Sequence, residues 1–396
     1  QVTPLFIIDE YSLFFSALVI IGGIAVTAMA YPYFENHNLQ NEEFYILLLC
    51  GVLGGVVLSC SNHFVSLFIG MEMIGVSLYA MIAYPIHSAV VAKFPLEAAI
   101  KYLIMSGIAS GVMLFGMALI YAVTGSFEFS QLQISADVDG AGMFMLVGFL
   151  MLGAGIAFKL SLFPFHMWTP DVYEGAPVPV TAFLATISKA AMVAVTLRLL
   201  LVAQAFDYPQ LFVVLSLLAA TSMIFGNLLA LLQSNVKRMF AYSSIAHLGY
   251  LMVVIIAAAV VPDVLSIESV GFYMAGYFLM SLGGFAVTSA LSNSGKELDA
   301  VSDYQGLFWR NPWLSTVMIV VLLSLAGIPL TAGFIGKFYV FTTGVEGQLW
   351  FLLTMLIIGS AIGLYYYLRL IYTMLQPARE GLVNDPAATP LSFGVN

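Results

Sequence analysis

Apolar residues run along this chain in long, even blocks, separated by short polar connections. Blocks long enough to cross a bilayer, about 20 residues, lie near 11–30, 44–60, 64–84, 97–122, 142–170, 177–205, 211–233, 239–261, 268–291, 313–343 and 348–375. Such runs are too long and too evenly apolar for the strands of a membrane barrel, so they predict eleven transmembrane helices and an all-α polytopic fold. Connections are short except 123–141 and 292–312.

The charges in the connections test this map. Eleven spans place successive connections on alternating sides. One side then holds Lys93, Lys237, Arg238, Lys296, Arg310 and Arg379. The other holds no Lys or Arg, and carries Asp9, Glu10, Glu128, Asp137, Asp139, Asp207, Asp263 and Glu346. A wrong span count would scramble this segregation. The positive-inside rule assigns the basic side to the cytoplasm, with the N-terminus opposite.

Composition agrees. Of 396 residues, 61% are hydrophobic and 8% charged, with mean hydropathy +1.01. Soluble domains carry roughly 25% charged residues, so a soluble globule and a disordered chain are both excluded. The net charge of −9 says less than where each charge sits. Residue 1 is Gln, and the first apolar run lacks a basic leader and a small-residue cleavage site. The expectation is a fragment of a longer membrane protein. Cys50 and Cys60 match no metal or redox spacing and are expected to be small buried hydrophobes. No haem, iron–sulfur or dinucleotide motif is present, so any electrons travel elsewhere.

Five ionisable residues stay well inside the spans: Glu72, Lys159, Lys189, Arg198 and Lys337. Lys101 and Arg369 lie nearer the basic ends, where long side chains can snorkel. A charge at mid-helix costs about 2.5–3.5 kcal/mol to insert, so each needs a reason. One reading is an ion path or proton relay; the other is a set of structural ion pairs. Buried lysine suits a relay, because a nearby carboxylate can decide whether it keeps its proton. Glu72 is the candidate carboxylate. Arginine hardly deprotonates, so Arg198 is expected to hold structure or set a local field.

Two lysine-bearing spans carry helix breakers: Pro164 follows Lys159, and Gly327 and Pro329 precede Lys337. Broken helices survive in membranes where protein or water satisfies the freed backbone groups. Two such spans, five apart in order, predict two inverted five-helix repeats. The expected division is 1–43 (N-terminal helix and connection), 44–205 and 206–376 (the repeats), and 377–396 (polar tail). His166 follows the first break, and His247 lies inside a span near Tyr242, Ser243 and Ser244. His166, His247, Tyr242 and Ser243 are candidates for a polar axis or relay. His37, His63 and His87 fall in loops, and no histidine pair has metal-ligand spacing with a carboxylate.

The stretch FKLSLFPFHMWTPDVYEGAPVPVTAFLATISKAA (158–191) resembles the signature of the subunit N family of NADH:quinone oxidoreductase (respiratory complex I), called subunit 2 in mitochondria and chloroplasts. NVKRMFAYSSIAHLGY, SLAGIPLTAGFIGKFYVF and GSAIGLYYYLRL resemble it too, in the same order, over roughly residues 1–376. Subunits L and M, sodium/proton antiporter subunits and membrane-bound hydrogenase subunits share the lysine-and-proline plan. Lys337 resembles subunit N, where subunit M usually has glutamate.

The resemblance implies fourteen helices, of which this chain holds the third to thirteenth. It implies relay roles for Glu72 (fifth helix), Lys159 (broken seventh), Lys189 (eighth) and Lys337 (broken twelfth). It places Lys101, His166 and His247 on the central axis. It implies proton translocation without a cofactor in this chain, with NADH, FMN, iron–sulfur clusters and quinone in partner subunits. The implied partners are subunit M, small subunits J and K, and the long lateral helix of subunit L, in lipid and without nucleic acid. The implied location is the bacterial cell inner membrane. Two alternatives stay open: a subunit of a sodium/proton antiporter or membrane-bound hydrogenase, and a structural subunit that pumps nothing.

Overall fold

A computed structural model describes residues 3–35, 42–85, 94–132, 141–203, 208–261, 264–292 and 297–377. His37, His87, Lys93, Asp137, Asp139, Asp207, Asp263, Lys296, Arg379 and the tail beyond 377 lie outside the described residues.

The chain is all-helical: α1 Glu10–Glu35, α2 Glu42–Ser59, α3 Phe64–Ala83, α4 Pro95–Thr124, α5 Ala141–Leu160, α6 Trp168–Gly175, α7 Val178–Ala185, α8 Ile187–Val202, α9 Pro209–Leu231, α10 Val236–Val260, α11 Val264–Leu291, α12 Leu307–Arg310, α13 Pro312–Ala326, α14 Ala332–Glu346 and α15 Trp350–Leu375. Extended pairing among the described residues is limited to isolated bridges between connections. Ten helical stretches are long and apolar enough to cross a membrane, counting Val178–Val202 as one. The short α13 and α14 together make the eleventh crossing, so each expected span is present.

Helix starts follow local chemistry. Pro95, Pro209 and Pro312 open α4, α9 and α13, where a missing N–H costs nothing. The side chains of His63, Asn235, Asn311 and Thr331 accept hydrogen bonds from first-turn amides of α3, α10, α13 and α14.

Breaks are set by backbone geometry. α5 stops at Leu160, and Ser161 takes φ +61°. Pro164 therefore lies inside the non-helical segment rather than at its start. α13 stops at Ala326, with Gly327 at φ +81° and Leu330 at φ +74° before α14 begins. A third interruption, at Thr186 between α7 and α8, falls in the span expected to be continuous. There the Ala182 carbonyl accepts from both the Thr186 amide at 3.1 Å and the Thr186 hydroxyl at 2.6 Å.

Contacts between connections agree with the expected sidedness. Phe6 bridges to Ser61, and His63 to Glu128, on the acidic side. Asn235 bridges to Ala300 on the basic side, where Arg369 also donates to the carbonyls of Leu231 and Gln233.

Two stretches have no lipid face. Every residue from 175 to 199, and every residue from 243 to 258, is buried. The remaining spans surround them and point residues such as Ile24, Leu49, Ile108 and Leu217 outward. Cys50 also points outward and Cys60 is half-buried, which corrects the expectation of two buried thiols: α2 is a peripheral helix and turns Cys50 away from its neighbours.

Candidate functional site

A line of buried and half-buried polar groups runs among the helices. It begins at Glu72 on α3, whose carboxylate accepts from Ser110 Oγ at 2.6 Å. One turn earlier on α4, Ser106 Oγ accepts from Lys159 Nζ at 2.6 Å and from Tyr79 Oη at 2.6 Å. Glu72 and Lys159, expected to pair, are therefore each held by a serine of α4 rather than by each other. Gly75 of α3 faces the same ammonium: a Cβ there would be in ordinary contact with it, 3.6 Å from Lys159 Nζ.

The first break supplies the next station. Where α5 ends, its last carbonyls lose their helix partners and carry the negative end of the helix dipole. Lys189 Nζ donates to the Lys159 carbonyl at 2.8 Å and to Ser161 Oγ. The Trp168 ring lies 5.1 Å from the same ammonium, with its indole N–H bonded to the Phe158 carbonyl at 3.0 Å. Lys189 itself is fully buried.

The second break repeats the arrangement. Lys337 Nζ donates to the carbonyl of Ala326, the last residue of α13, at 2.9 Å, and to Ser360 Oγ at 2.7 Å. The Tyr250 ring lies 5.3 Å from it. A Cβ on Gly327 would meet Lys337 Cδ at 2.8 Å, so the glycine both turns the chain and clears space for the lysine. Lys337 borders a crevice of about 420 Å³, shared with Phe334, Phe338, Ser360 and Leu364.

His247 neighbours the second station, its ring centroid 5.5 Å from that of Tyr250. Its Nδ1 is 2.8 Å from Tyr273 Oη and its Nε2 3.2 Å from Tyr367 Oη. Ser243 also bonds Tyr367, and Ser244 bonds Tyr277 at 2.6 Å. A cavity of about 10 Å³ lies beside these groups, lined by Ala185, Ser243, Tyr277, Ser281 and Leu325. That is at the lower limit for one water.

Other candidates fall elsewhere. His166 sits in the first break, stacked on Phe163 and near the Tyr242 ring, without a hydrogen bond to either lysine. Lys101 belongs to the basic rim, paired with Glu97 at 2.7 Å and Asp171 at 2.9 Å. Asp171, just past the break on α6, also binds Arg238 of α10 at 2.8 Å. Partial burial would raise the Asp171 carboxyl, but Lys101 and Arg238 hold it below the ordinary value. Nearby, buried Lys237 pairs with Glu297 at 2.7 Å. At the acidic end, Arg198 binds Asp9 at 2.8 Å and lies over the Tyr11 ring. Burial would likewise raise Asp9, yet the Ser12 amide and Arg198 bring it below its ordinary value.

Sequence reasoning missed the neutral partners: Ser106, Ser110, Ser161, Ser360, Tyr79, Trp168, Tyr250, Tyr273, Tyr277 and Tyr367. One signal was available, since Ser106 and Ser110 stand four apart in an apolar span and so share a helix face.

Comparisons with known proteins follow the same lines. Residues 61–363 match the family model described as NADH:quinone oxidoreductase/Mrp antiporter, transmembrane. NADH-quinone oxidoreductase subunit N of Methylococcus capsulatus (strain Bath) is 49% identical over 381 residues, covering 96% of this chain and 76% of the relative. In the structure of respiratory complex I from Thermus thermophilus with bound aureothin, one chain superposes with TM-score 0.80 and 32% identity, over 96% of this chain and 80% of that one. A chain of the Mrp complex from Dietzia sp. superposes with TM-score 0.79 at 20% identity, over 98% of this chain and 71% of that one, a likeness of fold.

Proposed function

Because the chain belongs to the family of membrane subunits shared by NADH:quinone oxidoreductase and the Mrp antiporters, we propose that it translocates protons through Glu72, Lys159, Lys189, His247 and Lys337. It acts within the membrane arm of an NADH:quinone oxidoreductase. One observation carries this reading. Four cations of the basic rim and the acidic end, Lys101, Arg198, Lys237 and Arg238, pair with carboxylates, while Arg310 and Arg369, which cannot give up a proton, rest on backbone carbonyls. The three lysines of the axis are held by neutral oxygens instead. A lysine that fixes structure needs a permanent counter-charge, since an uncompensated buried charge is costly. A lysine held by hydroxyls and carbonyls can lose its proton without stranding a carboxylate.

In this mechanism Glu72 and Lys159 communicate through the α4 serines. Lys189 first gives up its own proton toward Lys337 and, as the neutral amine beside the Lys159 carbonyl, takes the one that Lys159 releases when the Glu72 charge is neutralised. From there the proton moves through water and the His247–tyrosine cluster to Lys337, which releases it opposite the basic side. Electron transfer among NADH, FMN, iron–sulfur clusters and quinone in partner subunits drives the cycle. The neighbours are subunits M, J and K and the lateral helix of subunit L, in a bacterial inner membrane. The relative at 49% identity favours this assignment over a sodium/proton antiporter, for which the Dietzia chain offers likeness of fold alone.

Proton uptake by proteoliposomes carrying the assembled complex tests the proposal. Lys159→Ala and Lys337→Ala should each cut protons moved per NADH oxidised by more than half. Unchanged ratios in both variants would falsify it.

A further inference from the structure

Asn227 lies four residues before the end of α9 with 1% of its surface exposed, where an unsatisfied amide is costly. Its polar atoms are engaged. Nδ2 donates to the Met223 carbonyl at 2.7 Å and to Tyr250 Oη at 2.7 Å, and Oδ1 accepts from Tyr366 Oη at 3.1 Å. One side chain thus joins α9, α10 and α15.

Both of these neighbouring helices present a group to Lys337. Tyr250 of α10 offers its ring, and Ser360 of α15 offers its hydroxyl. Asn227 grips the outer end of the Tyr250 ring, leaving the ring face toward the ammonium. With the Met223 carbonyl, which a Cβ at Gly359 would meet at 3.0 Å, it also sets how closely α15 approaches. A Cβ at Gly359, beside Ser360 in the chain, would lie 3.1 Å from both Asn227 Nδ2 and Tyr250 Oη. A Cβ at Gly363 would lie 2.9 Å from Asn227 Oδ1. Neither side-chain partner of Lys337 is placed by α14, the helix that carries the lysine; both are referred to Asn227.

We propose that Asn227 is a positioning residue for Lys337, fixing the Tyr250 ring and the Ser360 turn and so setting the balance between ammonium and amine at that lysine. The inference rests on the relay proposed above. The titratable groups in the same cluster are His247 and Tyr250 of α10, Tyr273 of α11, and Tyr366 and Tyr367 of α15. Lys337 has no ion pair to a carboxylate among the described residues.

The test is NADH-driven proton uptake by the assembled complex in proteoliposomes, measured across pH. Asn227→Leu keeps the volume and removes the amide. Tyr250→Phe keeps the ring and removes only the hydroxyl that Asn227 holds. Both should displace the alkaline limb of the pH profile, by about half a pH unit or more for Asn227→Leu. A merely structural role would lower the amount of complex without moving the profile. If Asn227→Leu does not assemble, Tyr250→Phe decides. Wild-type profiles in the assembled variants, with Lys337→Ala defective, overturn the positioning role and leave the relay standing. Normal pumping by Lys337→Ala overturns both.

Discussion

Lys159 shows what a single residue requires at the centre of a membrane. The residue is 4% exposed, and its ammonium keeps one direct side-chain acceptor, Ser106, which it shares with Tyr79. Leaving a buried donor unsatisfied costs about 1–3 kcal/mol, and more for a charged group. Ser106→Ala is therefore expected to assemble but lower the pumping rate several-fold, while Ser106→Thr restores most of it. Proton uptake at matched NADH oxidation reads both. The charges themselves were legible in the sequence, because Glu72, Lys159, Lys189 and Lys337 stand out in apolar blocks. Their acceptors were not. Serines, tyrosines and backbone carbonyls are ordinary in apolar helices, and only the fold selects which of them meet a lysine. Glu72 and Lys159 act on each other electrostatically, but their direct hydrogen bonds go to the α4 serines, which the sequence did not single out.

At the scale of elements, proline and glycine marked both broken spans, yet the backbone departs from helix on its own terms. Ser161 carries the positive φ at the first break, three residues before Pro164. The next span is interrupted at Thr186, whose φ of −117° and ψ of −71° depart from the helix, with no breaker in the sequence. At the second break, α14 begins pressed against the end of α13. The Gly333 amide donates to Ser324 Oγ at 3.0 Å, and a Cβ on Gly333 would collide with the Ser324 carbonyl. Backbone cannot yield as a flexible side chain can. Gly333→Ala should therefore push α14 off α13, shifting Lys337 from Ala326 and lowering the thermal stability of the complex. Calorimetry in detergent checks this, and an unchanged transition with full pumping would refute it.

For the whole molecule, the eleven spans and their sidedness could be read from apolar blocks and the placement of Lys and Arg. Which spans lie innermost could not. Blocks that are apolar all round look alike whether they face lipid or protein, and only packing singles out residues 175–199 and 243–258. The two halves of the chain are tied at the basic side by α6, where Asp171 binds Lys101 of α4 and Arg238 of α10. The Asp171 carboxyl is held below its ordinary value in the folded state. Its contribution to stability is then complete above about pH 3.9, the ordinary value, and is lost as pH falls through the folded value. Asp171→Asn should lower the melting temperature at neutral pH, and the gap to wild type should close on acidification; a gap constant from pH 6 to 3 would contradict this. Helix order along the chain also bears on biosynthesis. The chain enters the bilayer N-terminus first, and each lysine of the axis follows an acceptor already threaded there. Ser106 precedes Lys159, the Lys159 carbonyl and Ser161 precede Lys189, and the Ala326 carbonyl precedes Lys337. Each cation arrives at the translocon with a resting place already in the membrane, so the order of synthesis spares the nascent chain an unsheltered charge.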